Sequence, residues 1–177
     1  MESAITEKYD YPGAFHLGGE FAELVAQMLR DRGADCNATP VQIATSSEER
    51  KHMTKHEQDI TFPWSPMCLE VKSTSCSFSA DVSKYPFRSL FVDTVSGFDA
   101  KAIKPIAYVI ISQKTHEVVC ISHKSKDSWK KVSAYDRKQK LNDVFYSAPK
   151  SALIPFGELV DWLLDKQKKA RATHIVE

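Results

Sequence analysis

The chain has 177 residues, of which 42% are hydrophobic and 27% charged, and its formal net charge is +1 at pH 7. These proportions exclude a disordered or fibrous chain, and the length fits one globular domain, residues 1–177. No apolar run approaches the roughly 18 residues of a membrane span, and the polar, acidic start is unlike a signal peptide. We therefore expect no membrane partner. The net charge does not itself favour nucleic acid, so local charge patterns matter more than the sum.

Four cysteines are present and none forms a CxxC pair: Cys36, Cys68, Cys76 and Cys120. Without an export signal, buried reduced thiols are favoured over a disulfide framework. This predicts a cytoplasmic protein, or one of the host cytoplasm if the chain is viral.

The strongest helix pattern spans residues 18–32, and Gly33 is a natural stop. Its apolar residues follow the i, i+3, i+4 spacing of one helix face: Phe21, Leu24, Val25, Met28 and Leu29. Glu20 lies one turn before Leu24 at the border of that face, where its carboxylate could lean toward an interior site. The alternative is an ordinary acid at a helix start, favoured by the helix dipole.

A short strand is predicted at residues 41–45, followed by a polar stretch at residues 46–58. His52 and His56 in that stretch have the i, i+4 spacing of a zinc-binding pair. No third ligand follows at a telling spacing, so a solvated connector is the favoured interpretation.

Two strands are predicted at residues 60–62 and 67–73, with a stiff turn at residues 63–66 that holds two prolines and Trp64. Farther along, an apolar cluster forms either a short helix or a buried strand: Phe87, Leu90, Phe91, Val92 and Val95. Residues 105–112 and 117–122 predict a hairpin. A strand at residues 144–146 and a helix that begins near Phe156 complete the prediction.

The stretch from Asp59 to Ser73 carries the pattern that points to chemistry. Side chains at i and i+2 of a strand share a face, so Glu70 and Lys72 point the same way. If Asp59 ends the neighbouring strand, two carboxylates and an ammonium converge. Carboxylates are the hard ligands that Mg²⁺ or Mn²⁺ prefers, and the backbone carbonyl of Val71 could complete such a site. Lys72 would orient or activate a water, or balance developing charge.

The simpler alternative is that Glu70 and Lys72 form a surface ion pair and that Asp59 is a turn residue. Leu69 and Val71 alternate with the charged pair and are apolar. This alternation is expected if one face of the strand packs against a helix.

Asp59, Glu70 and Lys72 resemble the D…ExK signature of the PD-(D/E)XK nuclease superfamily, which includes restriction endonucleases, junction resolvases and repair nucleases. The upstream helix, strand, acidic strand and ExK strand also resemble the order of its core, here residues 18–122. The resemblance implies a restriction-endonuclease-like α/β fold, a mixed β-sheet flanked by helices. It also implies that Glu20 assists the metal. Gln58 replaces the proline of the signature, and no helix is apparent after the ExK strand.

The segment of residues 124–140 has seven basic residues against two acids. It is either a solvated loop or an edge that binds the nucleic-acid backbone. The basic residues that would make those contacts are Lys124, Lys126, Lys130, Lys131, Arg137, Lys138 and Lys140. This segment and the last helix, residues 123–172, lie outside the core resemblance.

The sequence therefore predicts a Mg²⁺- or Mn²⁺-dependent deoxyribonuclease, an endonuclease acting on duplex or branched DNA. Its catalytic residues would be Asp59, Glu70, Lys72 and Glu20. Resemblance to resolvases and restriction enzymes implies a homodimer. Two alternatives stay open: an inactive nuclease-fold module that binds nucleic acid or acts as a scaffold, and a structural or regulatory protein without a nucleic-acid role.

Overall fold

Four α-helices and nine β-strands make up the part of the chain that the structure describes. The computed structural model describes residues 11–136 and 141–173, and side chains within residues 19–135 and 141–173. The helices are α1 (Tyr11–Arg30), α2 (Ser47–His56), α3 (Val95–Ala100) and α4 (Phe156–Thr173). The strands are β1 (Asn37–Ala38), β2 (Ile60–Phe62), β3 (Ser65–Thr74), β4 (Ser89–Thr94), β5 (Ala107–Ser112), β6 (Val118–Ser122), β7 (Lys130–Asp136), β8 (Leu141–Pro149) and β9 (Leu153–Pro155).

The strands form two sheets. The larger is mixed, with the order β1-β2-β3-β5-β6-β9, and the smaller is antiparallel, with the order β4-β8-β7. In the larger sheet β3 and β5 are parallel, whereas the other neighbours are antiparallel. Parallel neighbours need a crossover connection. Here the crossover contains β4 and α3, so it carries the chain into the smaller sheet and back.

Alternate residues of β5 face different hydrophobic clusters, as expected for a strand covered on both sides. Val109 and Ile111 belong to a cluster that includes buried residues of α1 and α4. Tyr108 and Ile110 belong to a second cluster, which includes residues of α3 and of the smaller sheet. The result is a single-domain α/β fold with a mixed sheet flanked by helices, as the sequence predicted.

Helix α1 buries Phe21, Val25 and Leu29, and the chain turns at Gly33, which has a φ of +97°. The Ala34 N–H donates to the carbonyl of Leu29 and the Gly33 N–H to that of Arg30. This pair of bonds is the Schellman arrangement, which satisfies carbonyls that the helix end leaves open. The predicted stop at Gly33 is confirmed.

Most predicted elements are confirmed, including the two strands around the turn, the hairpin and the last helix. The apolar cluster near residue 90 resolves into a strand, β4, followed at once by α3. One prediction was wrong: residues 41–45 are not a strand. Ladder pairing with β2 ends at Ala38, and the side chains of Val41 and Ile43 are exposed.

The predicted turn is shorter than expected, because Pro66 already lies within β3. Thr61 pairs with Cys68, but the next residue, Phe62, pairs with Ser65, so the register between β2 and β3 shifts at this point. Pro66 lies within this irregularity, where its missing N–H costs no hydrogen bond between the strands.

The four cysteines form no disulfide: Cys76 is exposed, and the other three are buried. No helix within the described ranges is long and apolar enough to cross a membrane.

Candidate active site

Asp59 is bound to the ExK strand by a hydrogen bond. Ile60, the first residue of β2, pairs with Leu69, so Asp59 immediately precedes β2 and lies beside Glu70 and Val71. Its Oδ2 accepts a hydrogen bond from the Val71 N–H at 2.7 Å. The N–H and C=O of one strand residue point to the same side, so the Val71 carbonyl points to the side of β3 on which Asp59 lies. The predicted convergence of Asp59 with the ExK strand is present.

Glu70 is only 4% exposed, and a lysine binds each of its carboxylate oxygens. The Lys72 Nζ lies 2.8 Å from Oε1, and the Lys101 Nζ lies 3.0 Å from Oε2. Lys101 follows α3 and is itself buried. The ExK lysine therefore shares its glutamate with a second lysine that lies far away in sequence.

Asp93 extends this cluster from β4. One of its oxygens lies 3.6 Å from the Lys72 Nζ, and the other accepts a hydrogen bond from the Tyr108 hydroxyl at 2.9 Å. Tyr108 is buried and pairs with Glu70 across the parallel strands. Lys72 thus lies between Glu70 and Asp93, which fixes its ammonium group in the cluster.

The charges within the cluster are unevenly balanced. Burial, and then the charge of Glu70, raise the pKa of Asp59 to about 7. Burial also opposes ionisation of Glu70, but Lys72 and Lys101 outweigh it and lower the pKa of that carboxyl. Desolvation disfavours the Lys72 ammonium, but Glu70 and Asp93 outweigh it and raise its pKa. Asp59 is therefore the acid whose negative charge is least compensated.

The donor set around Asp59 fits a hard divalent cation. Within the described ranges, no Lys, Arg or His side chain forms an ion pair with Asp59, and no three His, Cys, Asp or Glu residues form a metal-binding group. The oxygen donors that could hold such a cation are the carboxylates of Asp59 and Glu70 and the Val71 carbonyl. Mg²⁺ commonly uses one or two carboxylates and keeps several waters. Glu70 can bind a lysine and a cation together, because each carboxylate oxygen has two lone pairs.

Two cavities meet at the cluster, and Glu57, Glu70 and Lys72 line both. Asp59 and Val71 line the smaller cavity, of about 530 Å³. Asp93 and Lys101 line the larger one, of about 1220 Å³. Helix α2 contributes to both: Ser47, Arg50, Lys51 and Thr54 line the larger cavity, and His52, Met53 and His56 line the smaller.

Glu20 is not brought to the cluster. Its side chain is exposed on α1, while Gly19 and Ala22 of the same helix line the smaller cavity. Successive helix residues lie about 100° apart, so a helix that turns Gly19 and Ala22 toward the cavity directs Glu20 elsewhere. The role of Glu20 in metal binding remains a prediction from resemblance.

The two histidines of α2 lie side by side, with ring centroids 4.6 Å apart. They line the smaller cavity with Asp59, but no third zinc ligand joins them in the described ranges. Helix α2 has no buried residue, and Ser46 caps its start by accepting a hydrogen bond from the Glu49 N–H. The predicted connector is therefore a capped, solvated helix.

Four of the seven predicted nucleic-acid contacts belong to the described residues. These four lysines line neither cavity: Lys124, Lys126, Lys130 and Lys131. The Lys126 ammonium instead packs 3.7 Å from the centroid of the Tyr146 ring. Arg137, Lys138 and Lys140 lie outside the described residues.

Sequence reasoning missed the residues that enter the site from other elements. They are Asp93 and Lys101 in the cluster, and Arg50, Lys51 and Arg88 around the larger cavity. The α2 residues carried a signal, because positions 47, 50, 51 and 54 have the spacing of one helix face. Asp93 and Lys101 had none, because only the crossover connection brings them to β3.

Comparison with known proteins gives no relative: no family model, curated protein or solved structure matches this chain.

Proposed function

We propose that this protein is a metal-dependent nuclease that hydrolyses phosphodiester bonds in DNA, built on a restriction-endonuclease-like fold. The observation that carries the proposal is the hydrogen bond from the Val71 N–H to Asp59, which joins the first acid to the strand that bears Glu70 and Lys72. The D…ExK resemblance requires two acids and a lysine close together, and this bond holds Asp59 beside the strand segment that carries the other two.

The order of elements supports the fold assignment. Helix α1, the short strand β1, the strand β2 that directly follows Asp59 and the ExK strand β3 occur in the order that the resemblance implies, with α2 inserted between β1 and β2. The helix that was not apparent in the sequence after the ExK strand is present as α3. It lies within the crossover that leads to β5, the strand parallel to β3.

Each residue of the cluster would have its own role in the proposed reaction. Asp59, Glu70 and the Val71 carbonyl would hold Mg²⁺ or Mn²⁺, which when bound supplies Lewis acidity toward the phosphate and a more acidic water. Lys72 reaches both cavities, so it would orient the attacking water or stabilise negative charge on the phosphate. Lys101 and Asp93 would act as positioning residues, holding Glu70 and Lys72.

One observation favours the alternative of an inactive, nuclease-fold binding module. Both oxygens of Glu70 are already in ion pairs with lysines, so two ammonium groups compensate its charge without a metal. Such a protein would bind nucleic acid without cutting it.

A cleavage assay separates the two functions. Duplex, single-stranded and four-way-junction DNA are incubated with Mg²⁺ or Mn²⁺ and with the wild type, Glu70→Gln or Lys72→Ala. Lys168→Ala serves as the control, because Lys168 is exposed on α4 and lines neither cavity. We expect cleavage by the wild type and the control, and a loss of about 100-fold or more in the two site variants.

Equal cleavage by Lys72→Ala, Glu70→Gln and the wild type would eliminate the proposed site. DNA binding without cleavage would favour the inactive nuclease-fold binding module.

A homodimer remains a prediction from resemblance, and a cytoplasmic location remains a prediction from the sequence.

A further inference from the structure

The larger cavity is bordered by two elements of different chemistry. Helix α2 contributes Arg50 and Lys51, together with the small polar side chains of Ser47 and Thr54. The smaller sheet and the segment before it contribute aromatic rings: Phe87, Phe91, Tyr135 and Phe145. The Glu70–Lys72 pair also lines this cavity, so the cavity is continuous with the proposed catalytic cluster.

The aromatic side is unusually exposed. Phe91 is 50% exposed and Tyr135 is 58% exposed. The Phe91 and Phe145 rings lie side by side on adjacent strands, with centroids 5.1 Å apart. Clustered exposed rings that line a cavity indicate a binding surface. Aromatic rings beside basic groups are the combination on which unpaired bases stack while the backbone is neutralised.

The size of the cavity favours a polymer over a small metabolite. Its volume of about 1220 Å³ exceeds the range of roughly 300–1,000 Å³ typical of small-molecule sites. A single strand of nucleic acid is anionic along its backbone and presents flat bases beside it. The basic face of α2 and the aromatic rings match these two parts.

We propose that the larger cavity binds a single-stranded segment of DNA. Its phosphates would lie along α2, its bases would stack on the Phe91–Phe145 pair, and one phosphodiester would reach Lys72. This rests on the proposed function, since Glu70 and Lys72 are taken as the reacting end. A duplex keeps its base faces stacked inside and cannot offer them to these rings. The substrate is therefore an unpaired strand, a flap or a splayed end.

The test measures binding without cleavage, by fluorescence anisotropy in EDTA. The probes are a labelled oligothymidine of about 16 nucleotides, within the site sizes of single-strand binders, and a duplex of the same length. We expect tighter binding of the single strand. Phe91→Leu should weaken it about five-fold or more, whereas Phe91→Tyr, which retains a stacking ring, should not. Val144→Ala, an exposed change on the same sheet outside the cavity, is the control.

The α2 side is tested by salt dependence. Lys51→Gln should reduce the slope of log affinity against log salt by about 0.7, the value expected for one lost phosphate contact on a single strand. Lys168→Gln removes an exposed charge on α4 that lines neither cavity, and it should leave the slope unchanged.

Equal affinity for duplex and single strand, or unimpaired binding by Phe91→Leu, would overturn the inference. So would tighter binding of an oligouridine RNA. A dimer that Phe91→Leu dissociates in sedimentation, without loss of DNA affinity, would show that a second copy covers the rings instead.

Single-strand binding that depends on Phe91, in a protein that cuts no DNA, would support this inference and contradict only the proposed function. Cleavage of duplex DNA that Phe91→Leu leaves intact would support the proposed function and contradict only this inference.

Discussion

Glu70 carries a carboxylate into the interior, and such a group is tolerated only when it is paired. Lys72 and Lys101 provide that pairing, one for each oxygen. Lys101 has no other ion-pair partner among the described residues, and its side chain is 3% exposed. The two charges are therefore mutually dependent, and removing either leaves the other without its full compensation.

Lys101→Met keeps the apolar stem of the side chain and removes its charge. We expect a loss of about 3 kcal/mol in the free energy of unfolding, because Glu70 remains buried with one partner fewer. Urea denaturation measures this. Lys55→Met, an exposed change on α2, should stay within about 0.5 kcal/mol of the wild type. Equal midpoints for the two variants would contradict the role given to Lys101.

Asp59→Asn should stabilise the metal-free protein at neutral and higher pH. The pKa of Asp59 is raised to about 7 in the fold, above the value of about 3.9 in an unfolded chain. The folded state therefore holds the proton more tightly, and stability falls as pH rises from about 4 through 7. Asparagine has no such charge, and its carboxamide oxygen can still accept the Val71 N–H.

Thermal unfolding in EDTA at about pH 8 and about pH 5 provides the measurement. The advantage of Asp59→Asn should be larger at the higher pH and should shrink at the lower one. Asp161→Asn, on the exposed surface of α4, is the control. An advantage that grows toward low pH would show that the sign of the shift is wrong.

At the scale of elements, the sequence was most informative where burial of one or both faces gives an element a regular apolar pattern. The periodicity of α1, the alternation of β3 and the apolar runs of β5 and β6 each predicted the element that formed. Residues 41–45 misled because an apolar run looks the same whether or not a neighbouring strand is available to pair with it. Val41 and Ile43 remained exposed once pairing with β2 ended at Ala38.

The end of α1 offers a direct test at this scale. Gly33→Ala should lower the free energy of unfolding by about 1–2 kcal/mol, because a φ of +97° is unfavourable for a residue with a Cβ. The added Cβ would lie 3.7 Å from Leu164, an ordinary contact, so backbone strain is the main cost. Gly157→Ala, in α4 with a negative φ, should be neutral or stabilising. Equal losses in urea denaturation would rule out this explanation.

For the whole molecule, the fold class and the Asp59–Glu70–Lys72 convergence could be predicted because they depend on neighbouring strands close in sequence. Asp93, Lys101 and the α2 face could not, because they reach the site through the crossover and through packing between elements. The basic segment was conspicuous in the sequence, yet its described lysines line neither cavity. Charge density along a chain does not reveal which side of the fold it will occupy.

The central claim is that Asp59 and Glu70 share a divalent cation, and a Mn²⁺ titration by calorimetry tests it without knowledge of the DNA substrate. We expect the wild type and Glu48→Gln, an exposed change on α2, to bind Mn²⁺ alike. Asp59→Asn and Glu70→Gln should each weaken binding by about ten-fold or more, since each removes a direct ligand. No binding by the wild type, or equal affinity in Asp59→Asn, would contradict the account.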